Sequence, residues 1–183
     1  MTRIVAGSLG GRRLRVPSQG TRPTSERARE GLFGALDAVD AVRGARVLDL
    51  YAGTGALGFE ALSRGAAAVR FVEAAAKAAT ALTGNATELG VEGYSLRRGR
   101  VAAVLREAGE EFDLVLLDPP YDQRDDELAE VLGLLLSGGW CAEGALVIVE
   151  RSSRAPQPRW PAGLSAARTQ RYGETALHWA EHA

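Results

Sequence analysis

Cysteine is nearly absent from this sequence. Cys141 stands alone among 183 residues, which excludes an internal disulfide and a cysteine-based metal cluster. Histidine is almost as scarce: His178 and His182 lie close together without a partner motif, so neither a histidine metal site nor a histidine base is indicated. No apolar run approaches the ~18 residues a membrane span needs. The opening MTRIVAGSLGG has no continuous apolar stretch of the secretory type. These absences predict a soluble, cytoplasmic protein with no metal and no membrane partner. What remains, 46% hydrophobic and 25% charged residues, is the composition of an ordinary globular domain.

Net charge is −1, yet the charges are unevenly placed. Residues 1–30 carry seven arginines against Glu26 and Glu30, and residues 151–173 carry five arginines and no acid. The intervening segment is correspondingly acidic. Two basic flanks on an acidic body suit a polyanionic partner, although scattered solvated arginines give the same count.

RIVAG and RRLRV flank the turn-like SLGG, predicting an N-terminal β-hairpin with an arginine-rich second strand. TSERAREGLFGAL reads as a helix: Thr24 or Ser25 caps it, Glu26 suits its first turn, and Leu32, Phe33 and Leu36 form an apolar face. From Ala45 onward, short apolar runs at 45–51, 68–73, 94–98, 112–118 and 145–150 alternate with helical stretches. That alternation predicts an α/β fold built on a parallel, doubly wound sheet. Two further strand-like segments around YGET predict an antiparallel closing hairpin, and the segment 155–163 (APQPRWPAG) reads as a loop. Trp140 and Trp179 are expected to pack, Cys141 to be a packing residue, and Trp160 is unassigned.

In such sheets ligands bind beyond the carboxyl ends of the strands. Three motifs fall there. DLYAGTGALG places Asp49, Tyr51, Gly53, Thr54 and Gly55 between the first strand and its helix; glycines permit a tight turn and close approach of a ligand, and the pattern alone is common. Glu73 ends the second strand, about 20 residues after the glycine loop, where an acid accepts both hydroxyls of an adenosine ribose. DPPY, Asp118 to Tyr121, ends the fourth. Pro119 and Pro120 lack N–H groups and stop the strand in a stiff corner. Asp118 and the Pro119 carbonyl can then accept the two N–H bonds of a nucleobase amine, aiming its otherwise delocalised lone pair at an electrophile, with Tyr121 stacked on the base. Asp118 therefore faces both amine and methyl donor.

A glycine loop, a ribose-binding acid and DPPY on successive strands resemble the class I S-adenosylmethionine-dependent methyltransferases that act on nucleobase amines. RIVAGSLGGRRLRVP, RPTSERAREGLFGAL, LDLYAGTGALGFEALSRGA, DPPY and YGETAL together resemble the RsmD family across essentially the whole chain. The resemblance implies transfer of a methyl group from S-adenosyl-L-methionine to the N2 amine of one guanine in 16S rRNA of an assembled or assembling small ribosomal subunit, by a monomer. It also implies a Rossmann-like seven-stranded sheet with an antiparallel last strand, carried by residues 24–183, and an RNA-binding hairpin extension in residues 1–23. By position, Asp49, Gly53 and Gly55 would surround the methionine part of the cofactor, Glu73 its ribose, and Asp118, Pro119, Pro120 and Tyr121 the guanine. Arg12, Arg13, Arg15, Arg22 and Arg27 would contact RNA, with Arg22, Thr24 and Arg27 closing over cofactor or phosphate. One departure stands out. Where many class I enzymes place Asp or Asn after the third strand to hold adenine N6, this chain reads RRGRVAAV, leaving that contact to Arg100, Val101 or backbone groups.

Two other readings fit part of the pattern. A DNA adenine-N6 methyltransferase also uses DPPY, although it normally needs a target-recognition domain. A non-catalytic RNA- or nucleotide-binding module would bind without transferring a methyl group.

Overall fold

Each buried strand alternates its apolar side chains between two faces, and both faces are covered. The computed structural model describes residues 2–18 and 24–183. Elements follow in chain order: β1 (Thr2–Arg3), β2 (Arg13–Leu14), α1 (Glu26–Ala38), β3 (Arg46–Leu50), α2 (Ala56–Ser63), β4 (Ala68–Glu73), α3 (Ala76–Leu89), β5 (Tyr94–Arg98), α4 (Val101–Leu105), β6 (Phe112–Leu117), α5 (Asp125–Ser137), β7 (Cys141–Ser152), β8 (Leu164–Tyr172) and β9 (Thr175–His182). Seven strands form one sheet in the order β5-β4-β3-β6-β7-β9-β8. β5 to β7 are mutually parallel, and β9 lies antiparallel between β7 and β8. The expected fold class holds, including the antiparallel last strand.

The two faces have separate cores. On β6, Leu114 and Leu116 join Val47, Phe59, Phe71 and Leu82 beneath α1, α2 and α3. Val115 and Leu117 join Leu48, Leu50, Leu105 and Leu132 beneath α4 and α5. Right-handed crossovers explain the split: the chain winds outward from β3 through β4 to β5, then returns to β6 and winds the other way. β3 and β6 are therefore the switch point, where helices on opposite faces leave a crevice at the strand ends.

Three local expectations change. The N-terminal hairpin forms a ladder over only two residues per strand, extended by the bonds of Ile4 to Arg12 and Gly11, because Val5, Ala6, Ser8 and Leu9 bond elsewhere, as described below. β7 starts at Cys141 and runs to Ser152, longer than its apolar run, because pairing with β9 continues to Ser152 opposite Thr175. The segment 155–163 has no helix or strand, as read, but Trp160 packs against the second core. Trp140 and Trp179 pack as expected; Trp140 lies parallel to Phe112 and donates its indole N–H to the Leu105 carbonyl at 3.1 Å. Burial pushes the Cys141 thiol up to about 11, in keeping with a packing role.

Helix α1 begins where Ser25, not Thr24, caps it by accepting from the Ala28 N–H at 3.1 Å. Its apolar stripe of Ala28, Leu32, Phe33 and Leu36 faces the sheet, and Arg29 lies on the same buried side. That arginine is 1% exposed and sits 3.6 Å from the fully buried carboxylate of Glu60 on α2. Glu60 also accepts from the backbone N–H groups of Val5 and Ala6, at 2.8 and 3.2 Å, and from Arg64 Nε at 3.0 Å. Arg29 donates to the carbonyl of Arg3. One buried carboxylate thus ties the N-terminal segment, α1 and α2 together. Ser63 extends the tie, accepting from Leu9 N–H at 2.9 Å through its hydroxyl and from Ser8 N–H at 2.8 Å through its carbonyl. A charge-removing change at this knot leaves its partner buried and uncompensated.

Glu60→Ala is expected to destabilise the fold by about 3–5 kcal/mol in chemical denaturation. Arg3→Ala, which breaks only the exposed pair with Glu26, should leave the denaturation midpoint nearly where it was. Equal effects would show that the buried knot carries no special weight.

Candidate active site

The loop after β3 reverses through left-handed backbone at Tyr51, Gly53 and Gly55, with φ of 60°, 58° and 92°. Two of its neighbouring glycines serve packing. A Cβ on Gly55 would lie 2.3 Å from the Phe59 ring, and one on Gly58 would lie 2.2 Å from Phe71. A Cβ on Gly53 would meet nothing within 4 Å, so this backbone is open to an approaching ligand. Asp49 lies beneath the loop, 1% exposed. One of its oxygens accepts from the Gly58 N–H at 2.9 Å, fixing the start of α2, and the other, Oδ1, has no hydrogen-bond partner among the described residues. Burial holds this carboxyl well above the usual carboxylate range, with the Glu73 charge adding to the effect and the Gly58 N–H opposing it. A buried acceptor without a donor is costly, and a cationic ligand group beside it would relieve that cost.

Glu73, at the end of β4, sits against the same loop. Its two oxygens accept from the backbone N–H groups of Gly53 and Ala75, at 2.7 and 2.9 Å. A carboxylate offers about four lone-pair sites, so acceptor capacity remains for hydroxyl groups. Thr54 is buried, and its carbonyl accepts from Asn85 Nδ2 at 3.1 Å. Beyond β5, Arg100 is exposed and Val101 is buried at the start of α4.

On the other side of the crevice, β6 ends at Leu117 and DPPY follows. Asp118 is half-buried, Pro119 buried and Pro120 exposed, while the Tyr121 ring is 82% exposed. A ring so displayed at a strand end lies outside the core, with its faces open to solvent. The Pro120 carbonyl accepts from the Gln123 N–H at 3.0 Å, and the Gln123 side chain donates to the Tyr51 hydroxyl at 3.0 Å. The acceptor corner and the glycine loop are therefore linked by one side chain.

Asp118 has two neighbours here: Thr24, which the sequence reading named in other roles, and Glu150, which it passed over. The Thr24 hydroxyl lies 3.1 Å from Asp118 Oδ2 and 2.6 Å from an oxygen of Glu150, at the end region of β7. Thr24 is buried; it reaches these carboxylates because Ser25 takes the capping role and α1 is fixed by Arg29. Glu150 had a visible signal: ALVIVE ends in an acid just as RFVE and VLLD do. Gln123 and Asn85 had none. Asn85 is buried on α3, accepts from the Arg15 N–H at 2.8 Å and donates to the Arg15 carbonyl as well as to Thr54, so it joins the N-terminal segment to the glycine loop.

The basic flanks divide into two groups. Arg29 is buried with Glu60, and Arg151 pairs with Asp125 at 2.7 Å. Arg12 donates to the Glu88 carbonyl at 2.7 Å, and Arg15 pairs with the Glu88 side chain, both anchored on the end of α3 but still exposed. Arg13 and Arg27 are exposed and form no ion pair among the described residues. Arg22 lies outside the described residues. Among the described residues no group of three or more acids, histidines or cysteines is placed to hold a metal ion, and no helix is long and apolar enough to cross a membrane.

A family model described as "Conserved hypothetical protein 95" matches residues 2–181. The chain is 37% identical over 175 residues to "Ribosomal RNA small subunit methyltransferase D" of Escherichia coli strain K12, covering 95% of this chain and 86% of the relative. The solved structure of yhhF from Escherichia coli is 35% identical, with a TM-score of 0.89 over 99% of this chain and 97% of that one. At 18% identity the fold is shared with magnesium protoporphyrin IX methyltransferase from Synechocystis PCC 6803 with bound SAM, at a TM-score of 0.68 over 90% of this chain and 87% of that one. With a site built from a glycine loop and DPPY on either side of the switch point, the chain belongs to the ribosomal RNA small subunit methyltransferase D family.

Proposed function

We propose that this protein transfers a methyl group from S-adenosylmethionine to the N2 amine of a guanine in 16S rRNA of the small ribosomal subunit. The observation that carries the reading is the meeting of the glycine loop after β3 and DPPY after β6 at one crevice, linked by Gln123 to Tyr51. The donor side fits the cofactor by its own chemistry. Asp49 Oδ1, buried and without a donor among the described residues, suits the ammonium of the methionine part. Glu73 suits the ribose hydroxyls, Gly53 leaves space for the ligand, and Tyr51, Thr54 and Gly55 shape the loop around it. Val101, with the backbone near Arg100, is where the adenine would lie.

Held there by Asp49, Glu73 and the glycine loop, S-adenosylmethionine would supply an activated methyl group for transfer to guanine N2. Asp118 and the Pro119 carbonyl accept the N2 hydrogens and orient the lone pair, and Tyr121 holds the base plane. The methylated amine carries a positive charge and is a strong acid, so the carboxylate of Asp118 suffices to take the released proton. Pro120 keeps the corner rigid. Positioning supplies most of the acceleration, since the methyl donor is already activated.

The arginines give the substrate class. Arg13 and Arg27, with Arg12, Arg15 and Arg22, would neutralise RNA phosphates from the N-terminal extension, residues 1–23, and the start of α1. A monomer with so small an electropositive surface is suited to a preformed RNA surface such as the small subunit. The cytoplasm is where that particle resides.

Asp118→Ala is expected to lower methyl transfer by about 10²–10⁴-fold while leaving cofactor affinity, read by calorimetry, nearly intact. A mutant as active as the wild type would sink the assignment. Mass mapping of 16S rRNA from a strain lacking the protein should show one N2-methylguanine missing; an unchanged map removes the guanine reading.

Cofactor affinity should rise with pH. Asp49 holds its proton to higher pH than an ordinary carboxyl, and only its ionised form attracts an ammonium, so affinity falls as pH drops through its raised pKa. Asp49→Asn should weaken binding and flatten that dependence in a pH series of binding titrations. Arg13→Ala and Arg27→Ala should each reduce the slope of log affinity for single-stranded RNA against log salt by about 0.7, measured by fluorescence anisotropy.

A further inference from the structure

DPPY presents an amine to a methyl donor but does not by itself distinguish guanine N2 from another exocyclic amine. The structure holds a second carboxylate at that point. β6 and β7 are parallel neighbours with Leu117 opposite Val149, so Asp118 and Glu150 follow side by side at the same level of the sheet. Their oxygens share the Thr24 hydroxyl, at 3.1 and 2.6 Å. Both residues are half-buried while Thr24 is buried. The two acids thus stand at the crevice with the threonine behind them.

A hydroxyl has one proton to donate, and a carboxylate has about four lone-pair sites. Thr24 is one partner of Glu150, and a single hydroxyl takes only one of those sites. Two adjacent carboxylates form an array of acceptors, which is complementary to an edge of adjacent donors. The Watson–Crick edge of guanine is such an edge, with N1–H beside the N2 amine. Adenine offers an amine beside the N1 lone pair, and that lone pair would face a carboxylate oxygen.

We infer that Glu150 reads the target base by accepting the guanine N1–H while Asp118 and the Pro119 carbonyl hold N2. This assignment rests on the proposed guanine-N2 activity and adds to it the group that selects the base. Selection comes from repulsion as much as attraction, because a base with an unprotonated N1 leaves two sets of lone pairs opposed. Thr24 is a positioning residue here. Its hydroxyl makes the shorter contact with Glu150, at 2.6 Å, and lies 3.1 Å from Asp118, so it positions Glu150 beside that acid.

The test uses the full chain and a small-subunit RNA substrate ligated to carry either guanine or 2-aminopurine at the methylated position. 2-Aminopurine keeps the N2 amine but has a lone pair in place of N1–H. The wild type should favour guanine by about 10- to 100-fold in kcat/KM. Glu150→Gln, whose amide can donate to an unprotonated N1, should shrink that preference to within about threefold or reverse it, and Glu150→Ala should shrink it without reversal. Because each variant's ratio is compared with the wild type's, differences in intrinsic amine reactivity cancel between them. A purely structural Glu150 would lower both rates together and leave the ratio unchanged, which overturns the assignment. Equal use of both bases by the wild type overturns it whatever the variants do. A wild type that methylates no guanine overturns the proposed function and this assignment with it, whereas a guanine-active wild type with an unaltered ratio in both variants overturns this assignment alone.

Discussion

The buried charge pair between Arg29 and Glu60 sets the geometry on which the site depends. A guanidinium and a carboxylate inside a protein are tolerable only when each finds compensation, and here compensation comes from parts of the chain far apart in sequence. Glu60 takes the Val5 and Ala6 N–H groups and Arg64; Arg29 takes the Arg3 carbonyl. These contacts hold α1 against α2 and the N-terminal segment. Thr24, two residues before that helix, stands against both Asp118 and Glu150. The helix held by a stability device in the first core is thus the one that Thr24 leads into from the crevice.

The crevice itself follows from winding order. Reversal of strand order between β3 and β6 separates two loops that would otherwise be covered by helices, and the sequence fills those loops with groups of opposite duty. Asp49 is a buried acid whose Oδ1 lacks a donor among the described residues. Asp118 and Glu150 are half-buried acids that meet at the Thr24 hydroxyl. The two halves of the crevice hang from different strands, yet Gln123 spans them through the Tyr51 hydroxyl.

Much of the fold was legible because burial writes itself into apolar periodicity. FDLVLL, with side chains serving two cores in alternation, reads as a doubly covered strand from composition alone. The motif residues were legible for a related reason: glycines at a strand-to-helix junction and prolines after a strand each have few other uses. Arg29 was not legible. In ERARE an arginine at a buried position looks the same as one in water, since the partner that makes burial tolerable, Glu60, lies in a different helix. The N-terminal hairpin was overread for the same reason. Past Ile4, which still pairs with Arg12 and Gly11, the residues Val5, Ala6, Ser8 and Leu9 bond to Glu60 and Ser63 rather than across a ladder, a choice that no local pattern encodes. Glu150 stood in plain view at the end of an apolar run, and its significance came only when the register placed it beside Asp118.

The place of β9 has a consequence for synthesis. It follows β8 in the chain, yet it lies inside the sheet, between β7 and β8. On a translating ribosome β8 emerges first and has no edge to join, while β7 waits with an unpaired row of backbone groups. The sheet can grow past β7 only after the later strand has left the exit tunnel and inserted. Until that moment the apolar edge formed by Leu146, Val147, Ile148 and Val149 is open to wrong partners, so the most vulnerable interval of this protein's life falls between the making of one strand and the making of the next.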